Sequence, residues 1–193
     1  MDWRWKETVT KLEYAVNLMA SLAFLHIRQM DSVGLLVADS GNTHYLPPKS
    51  GRNQLNAIFS TLEQIDPGVA DSFSDLAAAL AGIRRHKGFL VVCSDLEEDQ
   101  ERTATALKDL AARGDEVILF HLLDKAEVEL PFKNATHLRD SESGVLLPIQ
   151  IEDLRREHSE TVRSFRQHWR DQCEENGIAY VPISTGDSYA DAI

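Results

Sequence analysis

The sequence predicts an α/β protein of Rossmann-like, three-layer α/β/α architecture, with a mostly parallel sheet and one hairpin edge strand. Three observations predict it. The apolar runs Val33–Val37, Phe89–Cys93 and Val117–Leu122 are continuous rather than alternating, the mark of strands covered on both faces. Segments of helical period separate the strands, and that alternation implies right-handed crossovers and a sheet with helices on both sides. Punctuation falls between helix and strand, at Asp66-Pro67-Gly68, Gly88, Gly114 and Gly177.

Taken in order, Lys11 to Arg28 carries Leu12, Ala15, Val16, Met19, Leu22, Ala23 and Ile27 at helical spacing, and Tyr14, Leu18, Phe24 and Leu25 widen the stripe. The spacing predicts a largely buried helix. Asp31 precedes the short strand Val33–Val37. His44-Tyr45-Leu46 before Pro47-Pro48 predicts its hairpin neighbour, an edge strand ended by proline. Leu55, Ile58, Phe59, Leu62 and Ile65 mark a one-sided second helix ended by Asp66-Pro67-Gly68. Ser74 is placed to cap a third helix that closes on Arg84, Arg85 and Lys87 before Gly88. The strand Phe89–Cys93 follows, then a helix over Asp99–Arg113 stopped by Gly114, then the strand Val117–Leu122.

From 124 to 150 the pattern changes. Pro131, Asn134, Gly144 and Pro148 punctuate the apolar pieces Val128–Phe132 and Val145–Ile149, which predicts a small β-rich excursion. A long helix over 151–176 presents Leu154, Val162, Phe165 and Trp169 on one face; Gly177 ends it and Ile178–Ile183 is the last strand. There is no internal repeat and no linker, so residues 1–193 are expected to form one domain.

The net charge of −11 disfavours nucleic acid and anionic membrane surfaces as partners, and favours a basic protein partner or a divalent cation. The two cysteines, Cys93 and Cys173, have no framework spacing, which points to a reducing compartment, the cytoplasm. No apolar run is long enough to span a bilayer. The seven histidines lack His-x-x-x-His or His-Glu-x-x-His spacing; His121 reads as a hydrogen-bonded core residue, and His158 and His168 as helix-face residues. Phosphate-binding glycine loops and a Gly-x-Ser-x-Gly elbow are absent.

The segments Lys11–Ala15, Asp31–Leu35, Ser74–Leu80, Val92–Leu96 and Phe120–Asp124, in this order and spacing, resemble a von Willebrand factor A-like domain. With Asp124–Phe132, Leu138-Arg139-Asp140 and Gly144, the chain is most similar to the bacterial DUF58 family. The resemblance covers nearly the whole chain. It implies a metal-ion-dependent adhesion site, in which an Asp-x-Ser-x-Ser after the first strand, a Thr before the third helix and an Asp after the fourth strand hold Mg²⁺ through oxygen atoms. Here Ser74 stands where the Thr would be and Asp95 matches the remaining Asp, whereas the first strand and its motif are missing, Met1 falling just beyond where the motif would end. The resemblance therefore implies a degenerate site, with no cofactor or weak Mg²⁺. Family members resemble membrane-anchored proteins, and the partner it implies is a MoxR-type AAA+ ATPase.

In the implied fold the missing strand lies between Val33–Val37 and Phe89–Cys93. Those two strands are then expected to pair directly, or to leave unpaired edges that another segment, a second copy in a homodimer, or residues 2–5 would fill. Asp95 reads as a cation ligand or as a helix cap; Glu97, Glu98 and Asp99 read as further ligands or as a solvated helix start. The first functional reading is a non-enzymatic protein-interaction domain binding its partner at the carboxyl edge of the sheet, through Asp39, Ser40, Ser74, Asp95, Glu97 and Glu98. The alternative is a Mg²⁺-dependent phosphoryl hydrolase in which Asp95 works with Glu97 or Asp99, and Asp39 or Asp124 serves as a second carboxylate. A third is a cropped chain without activity of its own.

Overall fold

The computed structural model describes residues 9–39, 42–65, 72–83, 87–97, 99–130, 137–139, 146–148 and 151–189. Its elements are α1 (Lys11–Arg28), β1 (Val33–Asp39), β2 (Asn42–Lys49), α2 (Arg52–Glu63), α3 (Phe73–Ile83), β3 (Phe89–Ser94), α4 (Gln100–Ala112), β4 (Glu116–Leu123), α5 (Lys125–Glu129), β5 (His137–Arg139), β6 (Leu146–Pro148), α6 (Ile151–Glu175) and β7 (Ala179–Ser184). The strands form a parallel three-stranded sheet of order β3-β4-β7 and two antiparallel pairs, β1-β2 and β5-β6. The α/β, Rossmann-like expectation holds, but the β1-β2 hairpin is not hydrogen-bonded to the parallel sheet among the described residues. Of the two outcomes expected for β1 and β3, direct pairing does not occur.

Side chains alternate along each strand of the parallel sheet, so both faces are covered. On one face Leu90, Val92, Val117 and Leu119 pack against Ala77 of α3, Leu107 and Leu110 of α4, and Trp169 and Cys173 of α6. On the other, Val91, Cys93, Phe120, Leu122 and Ile183 pack against Tyr14 and Leu18 of α1. The opposite flank of α1, with Ala23 and Ile27, joins Ile58 and Leu62 of α2 over the hairpin residues Val33, Leu35 and Leu46. One helix thus serves two cores.

Several elements differ from expectation. β2 continues through Pro47 and Pro48 to Lys49, with a register irregularity opposite Val33–Leu35. An edge strand tolerates proline because one row of its backbone groups has no ladder to complete. Gly34 makes the approach possible, since a Cβ there would lie 2.9 Å from the Leu46 carbonyl oxygen and 3.1 Å from the Pro48 ring. α3 begins at Phe73, so the capping hydroxyl is that of Ser72, which accepts from the Asp75 N–H; Ser74, the expected cap, lies inside the first turn. Asp99, not Asp95, caps α4 by accepting from the N–H groups of Glu101 and Arg102. Val128 sits on the short helix α5 rather than on a β piece, because Asp124 and Glu127 form a capping box around its start. Asp66-Pro67-Gly68, Arg84 and Arg85 lie outside the described residues.

Candidate functional site

In parallel α/β sheets, ligands meet the molecule at the carboxyl ends of the strands. Here the chain turns sharply after β3. Leu96 adopts φ +56°, a left-handed conformation that strains a residue with a branched side chain. Its side chain is fully buried in the core, and its N–H donates to the Ser94 hydroxyl at 3.1 Å. That burial holds the turn in place. The turn leaves Asp95 and Glu97, on either side of Leu96, both within reach of one cation.

The cation is Lys11, the first residue of α1. Its Nζ donates to Glu97 Oε1 at 2.6 Å and to Glu127 Oε1 at 2.9 Å, and lies 3.4 Å from Asp95 Oδ2. A lysine at a helix N-terminus runs against the helix dipole, so its placement answers to the carboxylates rather than to α1. The capping box of Thr10 and Glu13 fixes the helix start: Glu13 N–H donates to Thr10 Oγ1 at 3.0 Å and Thr10 N–H to Glu13 Oε2 at 2.8 Å. Lys11 itself is buried. Burial pulls its ammonium toward neutrality, but the hydrogen bonds to Glu127 and Glu97 and the charge of Asp95 outweigh it and hold the group well above the ordinary lysine value.

Glu127 links this cation to the next strand. Its other oxygen accepts from the Asp124 N–H at 2.7 Å. Asp124 is wholly buried; Oδ1 accepts from the Ala126 N–H at 2.7 Å and Oδ2 from the Thr185 hydroxyl at 3.0 Å. A continuous polar network therefore joins the carboxyl ends of β3, β4 and β7 to the start of α1. His158 of α6 adds a contact to the Glu127 carbonyl. Behind the network His121, wholly buried on β4, bonds the Tyr180 hydroxyl through Nδ1 at 2.6 Å, as expected of a core histidine, while its Nε2 has no hydrogen-bond partner among the described residues. Burial, with the charge of Arg166, pushes His121 down to about 4.

The family model described as "Protein of unknown function DUF58" matches residues 2–168. The chain belongs to the DUF58 family. Among curated proteins it is 29% identical over 150 residues to the uncharacterized protein Rv1480 of Mycobacterium tuberculosis and to Mb1516 of Mycobacterium bovis, a match covering 76% of this chain and 47% of each relative. The DUF58 chain thus matches about half the length of these relatives. Among solved structures it is similar to the conserved hypothetical protein BatB of Bacteroides thetaiotaomicron (TM-score 0.53, 17% identity, 93% of this chain and 82% of that one). It is equally similar to an aerotolerance-related membrane protein of Bacteroides fragilis (TM-score 0.54, 21% identity, 94% and 83%). At these identities the structures speak for the shared fold. Among the described residues of this DUF58 chain, no helix is long and apolar enough to cross a membrane.

The predicted site residues of the DUF58 chain scatter. Asp95 and Glu97 come together on Lys11. Ser74 Oγ pairs with Ser72 Oγ at 2.8 Å, and Asp39, at the hairpin tip, has His44 Nε2 as its partner at 3.3 Å. Asp99, the expected companion of Asp95 in the hydrolase reading, caps α4, and Asp124, one of its two candidate second carboxylates, caps α5. Ser40 and Glu98 lie outside the described residues. The donor set does not fit the Mg²⁺ that the family resemblance implies. A buried ammonium already takes the carboxylate oxygens a divalent ion would need, and no group of three or more His, Cys, Asp or Glu among the described residues is arranged to hold a metal. Sequence reading passed over Lys11 and Glu127. The available signal was an apparent anomaly, a lysine opening an otherwise apolar, well-capped helix.

Proposed function

We propose that this DUF58 chain is a non-enzymatic protein-interaction domain that engages its partner at the carboxyl edge of the parallel sheet, through the acidic surface centred on Glu97. The observation that carries this reading is the Lys11 network. It ties up Asp95 in the protein's own structure, yet leaves Glu97 61% exposed at the rim, so the edge presents fixed negative charge rather than a reactive centre. Three carboxylates around one ammonium leave an excess of negative charge there, which suits a basic partner surface. Ser74 and Asp39 would extend the footprint. By family resemblance the partner is a MoxR-type AAA+ ATPase and the setting is the cytoplasm. The membrane-protein description of the Bacteroides fragilis neighbour suits a domain working beside a membrane.

Pull-down of a MoxR-type ATPase by the 193-residue chain, with Glu97→Lys compared with wild type, tests it. Recovery should fall at least tenfold for Glu97→Lys and return when salt-sensitive contacts are restored by the acidic variant Glu97→Asp. Undiminished recovery by Glu97→Lys would place the partner elsewhere. Mg²⁺-dependent turnover of a phosphate ester, lost in Asp95→Asn, would replace the reading with an enzymatic one.

A further inference from the structure

We infer that one flank of α6, a stripe of arginines, docks an acidic helix of a partner protein. Five of the chain's 20 basic residues, Arg155, Arg156, Arg163, Arg166 and Arg170, stand on this one helix. At about 100° per residue they share a single sector of roughly 100°, beside the face that Phe165 and Trp169 turn to the core. Glu157, Glu160 and Asp171 fall in the adjoining sector, so between Arg155 and Cys173 the basic flank holds no acid. A chain with a net charge of −11 thus carries a local stripe of the opposite sign.

The stripe does not serve to brace the helix. Solvent-facing charges on a helix ordinarily pair with neighbours three or four positions away. Glu160 precedes Arg163 by three residues and Glu174 follows Arg170 by four, yet neither pair forms among the described residues. Arg163 and Arg170 are exposed, and no carboxylate lies within ion-pair distance of Arg163, Arg166 or Arg170 among the described residues. The acidic flank is satisfied by other means, with Gln167 Nε2 donating to Asp171 Oδ1 at 2.7 Å.

The arginines are oriented without being neutralised. The Arg170 guanidinium lies 5.8 Å from the centre of the Tyr180 ring, a contact that steadies the group and leaves its N–H fork for a carboxylate. One turn earlier, Arg166 lines a cavity of about 270 Å³ together with Lys125 of α5 and Ile183 of β7. The two acids bordering that cavity already have partners: Glu129 Oε1 stands 4.0 Å from Lys125 Nζ, and Asp187 accepts from the Ser184 N–H at 2.8 Å. Arg166 is the charge left over.

Spacing selects the occupant. Arg156, Arg163 and Arg170 recur every seven residues, about 10.5 Å apart along the axis. A second helix laid alongside repeats at that same interval, whereas an extended chain presents same-face residues about every 6.6 Å. Width points the same way. A membrane or a nucleic-acid duplex is a broad anionic surface and would press on Glu157, Glu160 and Asp171 beside the stripe. A helix is about 10 Å across and fits on the arginines alone. The surface lies on a different element from Glu97 and has the opposite sign, so it stands independently of the acidic-edge reading.

Fluorescence anisotropy of the 193-residue chain tests this, with a labelled alanine-based helical peptide carrying glutamates along one face at three-, four- and seven-residue intervals. The peptide should bind, and the triple variant Arg163→Gln, Arg166→Gln, Arg170→Gln should weaken binding by about tenfold. Arg163→Glu, at an exposed position outside the core, should weaken it on its own and serves if the triple variant does not fold. Glu97→Lys should not weaken it, which separates this surface from the acidic edge. A peptide of the same composition with its glutamates spread round the helix should bind less tightly. No binding, or equal binding by the spread peptide or by Arg163→Glu, overturns the proposal. Binding instead to vesicles of phosphatidylserine and phosphatidylcholine, or to single-stranded DNA, lost in the same variants, would assign the flank to phosphate and overturn it as well.

Discussion

The ammonium of Lys11 stands 3.4 Å from the carboxylate of Asp95, across 84 residues of chain, at the position where the sequence led one to expect a cation from solution. A side chain of the protein takes the role of that cation. The consequence is structural: α1 is fastened at its first residue to the ends of β3 and α5, and the acids that look available in the sequence are already neutralised in part.

Removing the cation should therefore cost stability. Lys11→Met keeps the apolar stem and deletes the charge, leaving three carboxylates facing one another, two of them partly solvated. The expected loss is about 2 kcal/mol, below the range for breaking a fully buried pair because Glu97 and Glu127 can rehydrate. Urea denaturation measures it. The double variant Lys11→Met with Asp95→Asn should recover part of the loss; a strictly additive result would mean that the two side chains do not interact.

The same contact sets a pH limit. A lysine held above its ordinary 10.5 contributes stability that is fully present below that value and is lost as pH rises through its raised folded-state value. The stability difference between wild type and Lys11→Met should be constant from neutrality to about pH 10 and shrink above it. Denaturation midpoints across that range provide the check.

His121 acts at the other end of the scale. Its folded-state value of about 4 lies below the ordinary 6.5, so between these two the unfolded chain binds a proton that the folded one refuses. Stability should fall as pH drops through this window and stop falling through this residue below it, by a total of about 3 kcal/mol. In His121→Phe that part of the slope should vanish, whatever the variant's stability at neutral pH. Thermal melts of both proteins between pH 4 and 7 distinguish the cases.

Asp124 is the most constrained acid of the network, wholly buried and bonded to both Ala126 N–H and Thr185 Oγ1. Asp124→Ala removes a helix cap and takes the acceptor from the Thr185 hydroxyl proton, for a loss of about 2–3 kcal/mol. Thr185→Val should cost less, about 1 kcal/mol, since the cap survives. Equal losses would mean that the cap contributes nothing.

The frame of the molecule was legible because it rests on period and punctuation. The bounds of α1 agree at both ends, since its stripe begins beside Thr10 and stops at Arg28, and β3 and β4 of the parallel sheet announce themselves as mainly apolar runs. What failed were assignments resting on a single polar residue. Ser74 and Asp95 each had the chemistry of a cap, but Ser72 and Asp99 hold those posts, a difference of a few residues that only the placement of the first turn decides. The strand reading at Val128 failed because Asp124 and Glu127 cap a helix there, a local hydrogen-bond pattern stronger than an apolar alternation of a few residues. The site was half legible. Asp95 and Glu97 stood out as acids after a buried strand, but the lysine that meets them is far away in sequence, and the left-handed Leu96 that aims them carries no signal in its residue type.

A helix whose two flanks belong to different cores also governs how the molecule comes apart. The hairpin and α2 contact it through Ala23 and Ile27, the parallel sheet through Tyr14 and Leu18, and no shared backbone ladder joins the two sides among the described residues. Cooperativity between them must pass through side-chain packing alone, a weaker coupling than a continuous ladder. The hairpin half is then free to open as a separate foldon, with the parallel half retaining the slowest amides.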